Sequence, residues 1–310
     1  MLRKLKLSYQ VYNFFQKRAL AHNLEPYRQL GINKTYFAPV SSADFVGKSP
    51  DHIPSDHAGI SLSETELYRN LTAPARASFD AWDENGYGVL PGYLTHEQVE
   101  DINATIESLR ASNELDFTYG KKLMFAVRKS PTLAGIWTKP SLLEFLNVLI
   151  QGQARLFQSI NFLQGSEQRT HSDSIHMTTF PLGGLLGVWV ALEDIGPDQG
   201  PLHYYPGSHK MPYYLNDAYG NEGGWLTLGE KLYTDYEEMI AEKVTATDYR
   251  REVFLANKGD VFIWHANLLH GGEPHRNPKL TRKSMVLHYF DARRVCYHEI
   301  TQRPALFADL

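Results

Sequence analysis

The run Arg169-Thr170-His171-Ser172-Asp173 sets an imidazole and a carboxylate two residues apart, so an extended chain aims both to the same side. A second imidazole, His270, follows the apolar run 261–264 in the segment WHANLLHGG. Two histidines and one carboxylate make a facial triad, which covers one face of an octahedral metal ion and leaves three positions open. Open positions of that kind suit a chelating organic acid and dioxygen, as in non-haem Fe(II) oxygenases. A His-Asp-His set also suits a zinc hydrolase with one free position. With 13 histidines in 310 residues, an HxD pair by itself says little. Arg282 adds weight. It lies beyond His270 on the next strand of an expected hairpin, and its planar guanidinium can grip a carboxylate with two parallel hydrogen bonds where a lysine offers a point charge. That favours an oxygenase over the hydrolase. A catalytically silent binding protein is the third reading, and metal content separates it from both.

Composition narrows the setting. The 31 basic residues against 35 acidic ones leave a formal charge of −4, so no general basic field exists to hold nucleic acid. At 43% hydrophobic and 21% charged residues the chain has globular composition and can bury a sizeable core. Its single cysteine, Cys296, excludes an internal disulfide and a cysteine-based zinc site. Any metal must therefore rest on histidine and carboxylate, and the compartment expected is the reducing cytoplasm. The uncharged stretch 174–192 has the length of a membrane span, but Pro181, Gly183, Gly184 and Gly187 would break a spanning helix.

The elements that must carry these groups change character along the chain. Near the start, Leu7, Val11, Phe14 and Phe15 fall at helical spacing among Arg3, Lys4, Lys6, Lys17 and Arg18. Lys4 and Lys6 interrupt any signal-peptide core. The ordinary use of such a helix is to pack its apolar face on the parent domain, and contact between residues 1–20 and a membrane surface is the other. Residues 38–63, rich in Pro, Ser, Asp and His, read as a loop wrapping the domain. Three capping boxes then announce helices: Ser63 with Glu66, Thr95 with Gln98, and Ser141 with Glu144. Val99, Ile102, Ile106 and Leu109 give the second an apolar face; Leu142, Phe145, Leu146 and Leu149 give the third one, which should stop at Gly152. Beyond it the runs 155–163, 185–192, 259–264 and 284–290 are short, aromatic or β-branched, and bounded by turn residues. Helices first and strands afterwards predict an α+β fold, mainly β with flanking helices, rather than a doubly wound sheet.

The segments RTHSDSIHMTTFPLGGLLGVWVALEDIGPDQGPLHYYPGSHK, GDVFIWHANLLHGG and TRKSMVLHYF resemble the phytanoyl-CoA dioxygenase family of iron- and 2-oxoglutarate-dependent oxygenases. The resemblance runs from about Phe79 to Phe290 and opens on DENGYGVLPGYLTHEQVEDI. It implies a double-stranded β-helix, the cupin-like jelly roll, in an oxygenase domain over residues 76–310. Residues 1–75 then form an N-terminal extension, and 210–250 a lid-like insertion. It implies Fe(II) held by His171, Asp173 and His270, and 2-oxoglutarate held at its 5-carboxylate by Arg282 in a pocket lined by Trp189. Hydroxylation of an unactivated C–H bond in a small or lipid-like molecule follows, with succinate and carbon dioxide released and ascorbate as an accessory reductant. Asp173 argues against halogenation, because related halogenases have a small residue there.

Departures from the family pattern define further expectations. Many relatives carry a hydroxyl residue two positions after the distal histidine, where this chain has Gly272, so Thr281 or water is expected to compensate. His176 and His265 flank the two ligand motifs and are expected beside the metal or the substrate rather than on the metal. Gln158 and Asn161, on the strand leading to His171, are candidates to reach the cosubstrate. Tyr213, Tyr214, Tyr219, Tyr233 and Tyr236 with Trp225 would furnish the lid. The sequence sets no oligomeric state.

Overall fold

The computed structural model describes residues 4–49 and 60–307. Its strands are β1 (Tyr87–Leu90), β2 (Phe117–Thr118), β3 (Lys122–Met124), β4 (Ala154–Phe162), β5 (Thr178–Phe180), β6 (Leu185–Ala191), β7 (Leu202–Tyr204), β8 (Glu252–Phe254), β9 (Val261–His265), β10 (His270–Gly272), β11 (Ser284–Asp291), β12 (Val295–His298) and β13 (Arg303–Pro304). The helices are α1 (Lys6–Phe15), α2 (Leu24–Gln29), α3 (Glu66–Arg69), α4 (Ala73–Asp80), α5 (Trp82–Asn85), α6 (His96–Ala111), α7 (Pro131–Trp137), α8 (Pro140–Ile150) and α9 (Tyr233–Thr245). One antiparallel sheet runs β1-β9-β6-β11-β4-β3-β2, and two three-stranded sheets run β10-β7-β8 and β13-β12-β5.

The alternation of side chains along the central strands sorts the interior into two faces. Leu186, Val188 and Val190 of β6 and Met285, Leu287 and Tyr289 of β11 join a cluster with Val99, Ile102 and Ile106 of α6 and Phe145 and Leu146 of α8. The intervening residues point the other way: Trp189, Val286, His288 and Phe290 line a cavity between the large sheet and the two small ones. Strand β6 is buried along its whole length, which explains why residues 185–191 carry no charge. Among the described residues no helix is long and apolar enough to cross a membrane.

Of the three expected capping boxes the middle one forms as read, with Gln98 N donating to Thr95 Oγ1 at 3.2 Å and Thr95 N to Gln98 Oε1 at 2.9 Å. The other two do not. Ser61 and Thr65, rather than Ser63, cap the short helical turns there. Pro140 opens α8 and leaves Ser141 inside its first turn, while Glu144 Oε2 accepts from the backbone N–H of Glu66. Proline starts a helix without a side-chain cap because its missing N–H is one that no helix satisfies at that position. Helix α8 ends at Ile150, and Gln151 rather than Gly152 takes the left-handed conformation, φ 50°.

The expected boundary between residues 75 and 76 falls inside α4. The N-terminal extension also shares its core with the C-terminal strands: Tyr27, Leu30, Val40 and Phe45 cluster with Val295 and Tyr297. Ser42 Oγ donates to the buried Glu299 at 2.6 Å. Residues 38–49 thus wrap the domain as expected, while 50–59 of that loop lie outside the described residues. Helix α1 departs most from expectation. Leu7, Val11, Phe14 and Phe15 are exposed, and the residue it buries is Asn13, whose side chain donates to Phe37 O.

Candidate metal and cosubstrate site

Backbone pairing brings the two histidines together. His171 and His270 form an isolated antiparallel bridge in which each N–H donates to the other's carbonyl at 2.9 Å. A directly opposed pair of this kind puts both side chains on one face, and the rings lie 4.5 Å apart between centroids. Each Nδ1 bonds to the carbonyl two residues earlier, His171 to Arg169 O and His270 to Leu268 O, both at 2.9 Å. That bond fixes the tautomer with the proton on Nδ1 and the lone pair on Nε2 aimed at the site. Asp173 opens a 3-10 turn over Asp173–Ile175, which Ser172 Oγ caps by accepting from Ser174 N.

The carboxylate divides its two oxygens. Oδ1 lies 3.8 Å from His171 Nε2 and 3.8 Å from His270 Nε2. Oδ2 accepts from the indole N–H of Trp264 at 2.8 Å and lies 3.5 Å from His288 Nε2. The donor atoms of His171, Asp173 and His270 sit within 4.8 Å of one another, all three residues buried, so one ion can meet them together. Burial alone would raise the Asp173 carboxyl, but the imidazoles of His270, His288 and His171 overrule it and hold the group well below the usual carboxylate range. Burial, with His270 alongside, pushes His171 well below the ordinary imidazole value. A neutral imidazole and an ionised carboxylate are the forms a metal binds.

Arg282 is buried in the same cavity. Its guanidinium lies 5.0 Å over the ring of Trp189, its Nη1 donates to Ser284 Oγ at 2.7 Å, and its Nε has no partner among the described residues. Burial lowers it to about 10 and the distant Glu193 offsets part of that effect. A buried guanidinium with an unused donor calls for an anionic ligand. The cavity, about 880 Å³, also takes in Lys122, Arg128, Gln158, Ser166, Gln168 and His176.

The remaining candidates divide. Gln158 lines the cavity, its amide bonded to His288 Nδ1 at 3.2 Å and Met177 Sδ at 3.1 Å. Asn161 is not among the cavity's lining residues: Ile160 and Phe162 on either side of it point in. His176 lines the cavity with its ring 6.0 Å from that of His171. His265 instead sits beside His209 at 5.4 Å, and its Nδ1 accepts from Asn267 N. Thr281 cannot stand in for the hydroxyl missing at Gly272, because its own hydroxyl donates outward to Glu193 at 2.7 Å. A side chain added at Gly272 would meet Ser166 Oγ at 2.7 Å, so a hydroxyl from another loop occupies that space.

Three neighbours of the triad escaped the sequence reading. Trp264 was read only as a strand residue. His288 on β11 has the same parity as Arg282, two residues before the strand, which is the signal that would have found it. Gln168 donates to His171 Nε2 at 3.1 Å and to Tyr233 Oη at 3.2 Å. The first of these bonds uses the lone pair that a metal would take, so metal entry displaces the amide.

Two of the residues expected as a lid stand beside the site. Tyr233 lines the cavity, and Tyr236 is fully buried with its hydroxyl accepting from Ser172 N, between the two ligands of the HxD motif. Tyr236 and Ile240 share a cluster with Ile175 and Leu269. Trp225 alone of the expected lid aromatics stands almost free, at 86% exposure.

The family model for phytanoyl-CoA dioxygenase matches residues 82–284, which span both ligand motifs and Arg282. The chain belongs to the phytanoyl-CoA dioxygenase family. Its curated relatives include the phytanoyl-CoA dioxygenase domain-containing protein 1 of Danio rerio, 39% identical over 147 residues, or 46% of this chain and 45% of the relative. The Bos taurus protein of the same name is 47% identical over 131 residues, 41% of this chain and 40% of its own length. The matches thus span less than half the length of these relatives. Among solved structures, the α-ketoglutarate-dependent carbocyclase SnoK from nogalamycin biosynthesis aligns with a TM-score of 0.58 at 19% identity, covering 75% of this chain and 88% of that one. EctD from S. alaskensis, solved with 2-oxoglutarate and 5-hydroxyectoine, aligns with a TM-score of 0.55 at 22% identity, covering 74% and 80%. These likenesses establish the jelly-roll fold of the family member described here.

Proposed function

We propose that this family member is an Fe(II)- and 2-oxoglutarate-dependent oxygenase that hydroxylates an unactivated C–H bond of a small or lipid-like molecule. One observation carries the reading: a buried guanidinium with an unused Nε–H shares a cavity with a buried His-Asp-His set. A zinc hydrolase has no need of such an anchor. His171, Asp173 and His270 would hold the iron. Arg282 would take the far carboxylate of 2-oxoglutarate, with Ser166 supplying the hydroxyl that Gly272 lacks. Bound there, iron and 2-oxoglutarate supply the chemistry that splits dioxygen, one atom going to succinate as carbon dioxide leaves and the other to the substrate as hydroxyl.

The protein's share is placement and exclusion of water. The Nδ1 bonds of both histidines and the Trp264 indole hold the three donors in orientation before the metal arrives. Phe125, Phe157, Ile160 and Phe290 give the cavity apolar walls for a hydrocarbon substrate. Gln158 and His176 reach the same space and would contact substrate or cosubstrate, and ascorbate would keep idle iron reduced.

The deciding experiment reconstitutes the chain anaerobically with Fe(II), adds 2-oxoglutarate and a metabolite library, and follows oxygen uptake and succinate together. Succinate formed in step with oxygen consumed, and stimulated by the right substrate, is the result expected. Hydrolysis by the zinc-loaded chain with no oxygen uptake would replace the proposal, and a chain that binds no metal would leave only a binding protein.

A further inference from the structure

Helix α1 is inverted relative to the rest of the molecule. Its inward side carries Lys6, Tyr9, Gln10 and Asn13, while Leu7, Val11, Phe14 and Phe15 are 63, 52, 48 and 76% exposed, Phe14 touching Phe37 edge-on. Backbone bonds tie its start to the loop 222–232: Lys6 N donates to Leu226 O and Leu228 N to Lys4 O, both at 2.9 Å. That loop presents Trp225, Leu226 and Leu232, all exposed, next to the helix. Single exposed apolar residues are ordinary, but seven on two segments tied by backbone bonds are more than water alone would select.

Charge says what covers it. Helix α1 has no acid in its first turn, and Lys4, Lys17 and Arg18 flank the apolar row as exposed bases, with no acid in the chain before Glu25. The loop adds Glu222, Glu230 and Lys231, so bases outnumber acids across the whole face. An apolar stripe with a tryptophan beside it and lysines at its rim is the pattern of a helix lying in a bilayer interface, where the apolar side chains sink below anionic headgroups. Position adds a reason. Tyr12, half exposed, and Asn13 line the same cavity as the metal triad, so the cavity reaches the surface beside this patch.

We propose that the face built from α1 and the 222–232 loop docks on an anionic lipid surface and opens the cavity toward it, so that an apolar substrate enters from the lipid. The lipid-entry part rests on the oxygenase reading, whereas docking itself is read without turnover, so the two can fail separately.

The experiment sediments the full chain with mixed phosphatidylcholine–phosphatidylserine vesicles and with pure phosphatidylcholine vesicles. The proposal expects binding to the mixed vesicles, weakened by salt, and about fivefold weaker for each of Lys17→Gln and Arg18→Gln. Phe15→Ser and Trp225→Ser should abolish it while the melting temperature holds, since both positions are exposed. Should either of those two variants unfold, the charge variants still decide the matter. Failure of the wild-type chain to sediment with either vesicle overturns the proposal. So does a concentration-dependent dimer that Phe15→Ser dissociates while vesicles do not bind, for then a second copy covers the face.

Discussion

The indole N–H of Trp264 donates to Oδ2 of Asp173, the oxygen turned away from the two histidines. Trp264 reaches it because Gly187, paired with it across β6 and β9, leaves the space its ring fills. The carboxylate is thus held in one rotamer with Oδ1 presented to the metal. Trp264→Phe keeps the packing and deletes the donor. It should weaken Fe(II) binding by about 10- to 100-fold with the fold intact, as loss of a bond behind a metal ligand generally does; titration of the metal-free chain measures this, and an unchanged affinity would make the indole a packing group only.

Replacing His171, Asp173 or His270 by Ala should remove most of the bound iron and all substrate-dependent succinate. The readout is metal content per chain after desalting. A triple variant that converts 2-oxoglutarate at the wild-type rate would show that the metal sits elsewhere.

Arg282→Lys substitutes a point charge for a planar fork. The loss of a buried charge-assisted pair costs about 2–5 kcal/mol, or about 30-fold to several thousandfold in affinity for 2-oxoglutarate. Iron affinity should stay where it is. Ser166→Ala should produce a smaller loss in the same direction. If calorimetry finds 2-oxoglutarate binding unaltered in Arg282→Lys, the anchor is one of the other cavity cations, Lys122, Arg128 or Arg303.

Residues 213–245 lie within the insertion expected as a lid over 210–250. Two of its side chains bond to the segment that carries the metal ligands. Tyr236 lies under Ser172 and Tyr233 holds Gln168, so a Gly/Ser linker in place of 213–245 should lower metal affinity and the melting temperature together. Normal metal binding by the shortened chain would restore the lid.

Acid should destabilise the protein through its buried histidines. Burial lowers His22 and His265 to about 4 and His298 to about 3. At pH 7 these rings are neutral whether the chain is folded or not. As the pH falls below about 6.5 the unfolded chain takes up protons first, so stability drops through the window from 6.5 toward 4. His22 alone accounts for at most about 3 kcal/mol of that loss, from a shift between 6.5 and about 4. His22→Leu should therefore flatten the fall in melting temperature between pH 6.5 and 4, and an unchanged slope would assign it to other groups.

Much of the site was legible because it depends on residue type and short spacing. His171 and Asp173 share a face at a separation of two. Arg282 follows His270 in sequence but not through the expected hairpin: β10 pairs with β7, while β11, which begins two residues after Arg282, pairs with β4 and β6. The strands came through as apolar runs, and the capping box of Thr95 and Gln98 as a local pattern. What could not be read depends on contacts between distant segments. Ser166 meets the space above Gly272 from another loop, and Trp264 meets Asp173 across the sheet. The orientation of α1 failed for a related reason: an amphipathic pattern shows that a helix has two faces, and only tertiary contacts, here Asn13 with Phe37 and Lys6 with Leu226, say which one turns inward.

The bridge between His171 and His270 makes the spacing of the metal donors a matter of strand register. Side chains alternate with every residue, so a slip of one position in that pairing would turn the imidazole of His270 to the opposite face and leave His171 and Asp173 without their third donor.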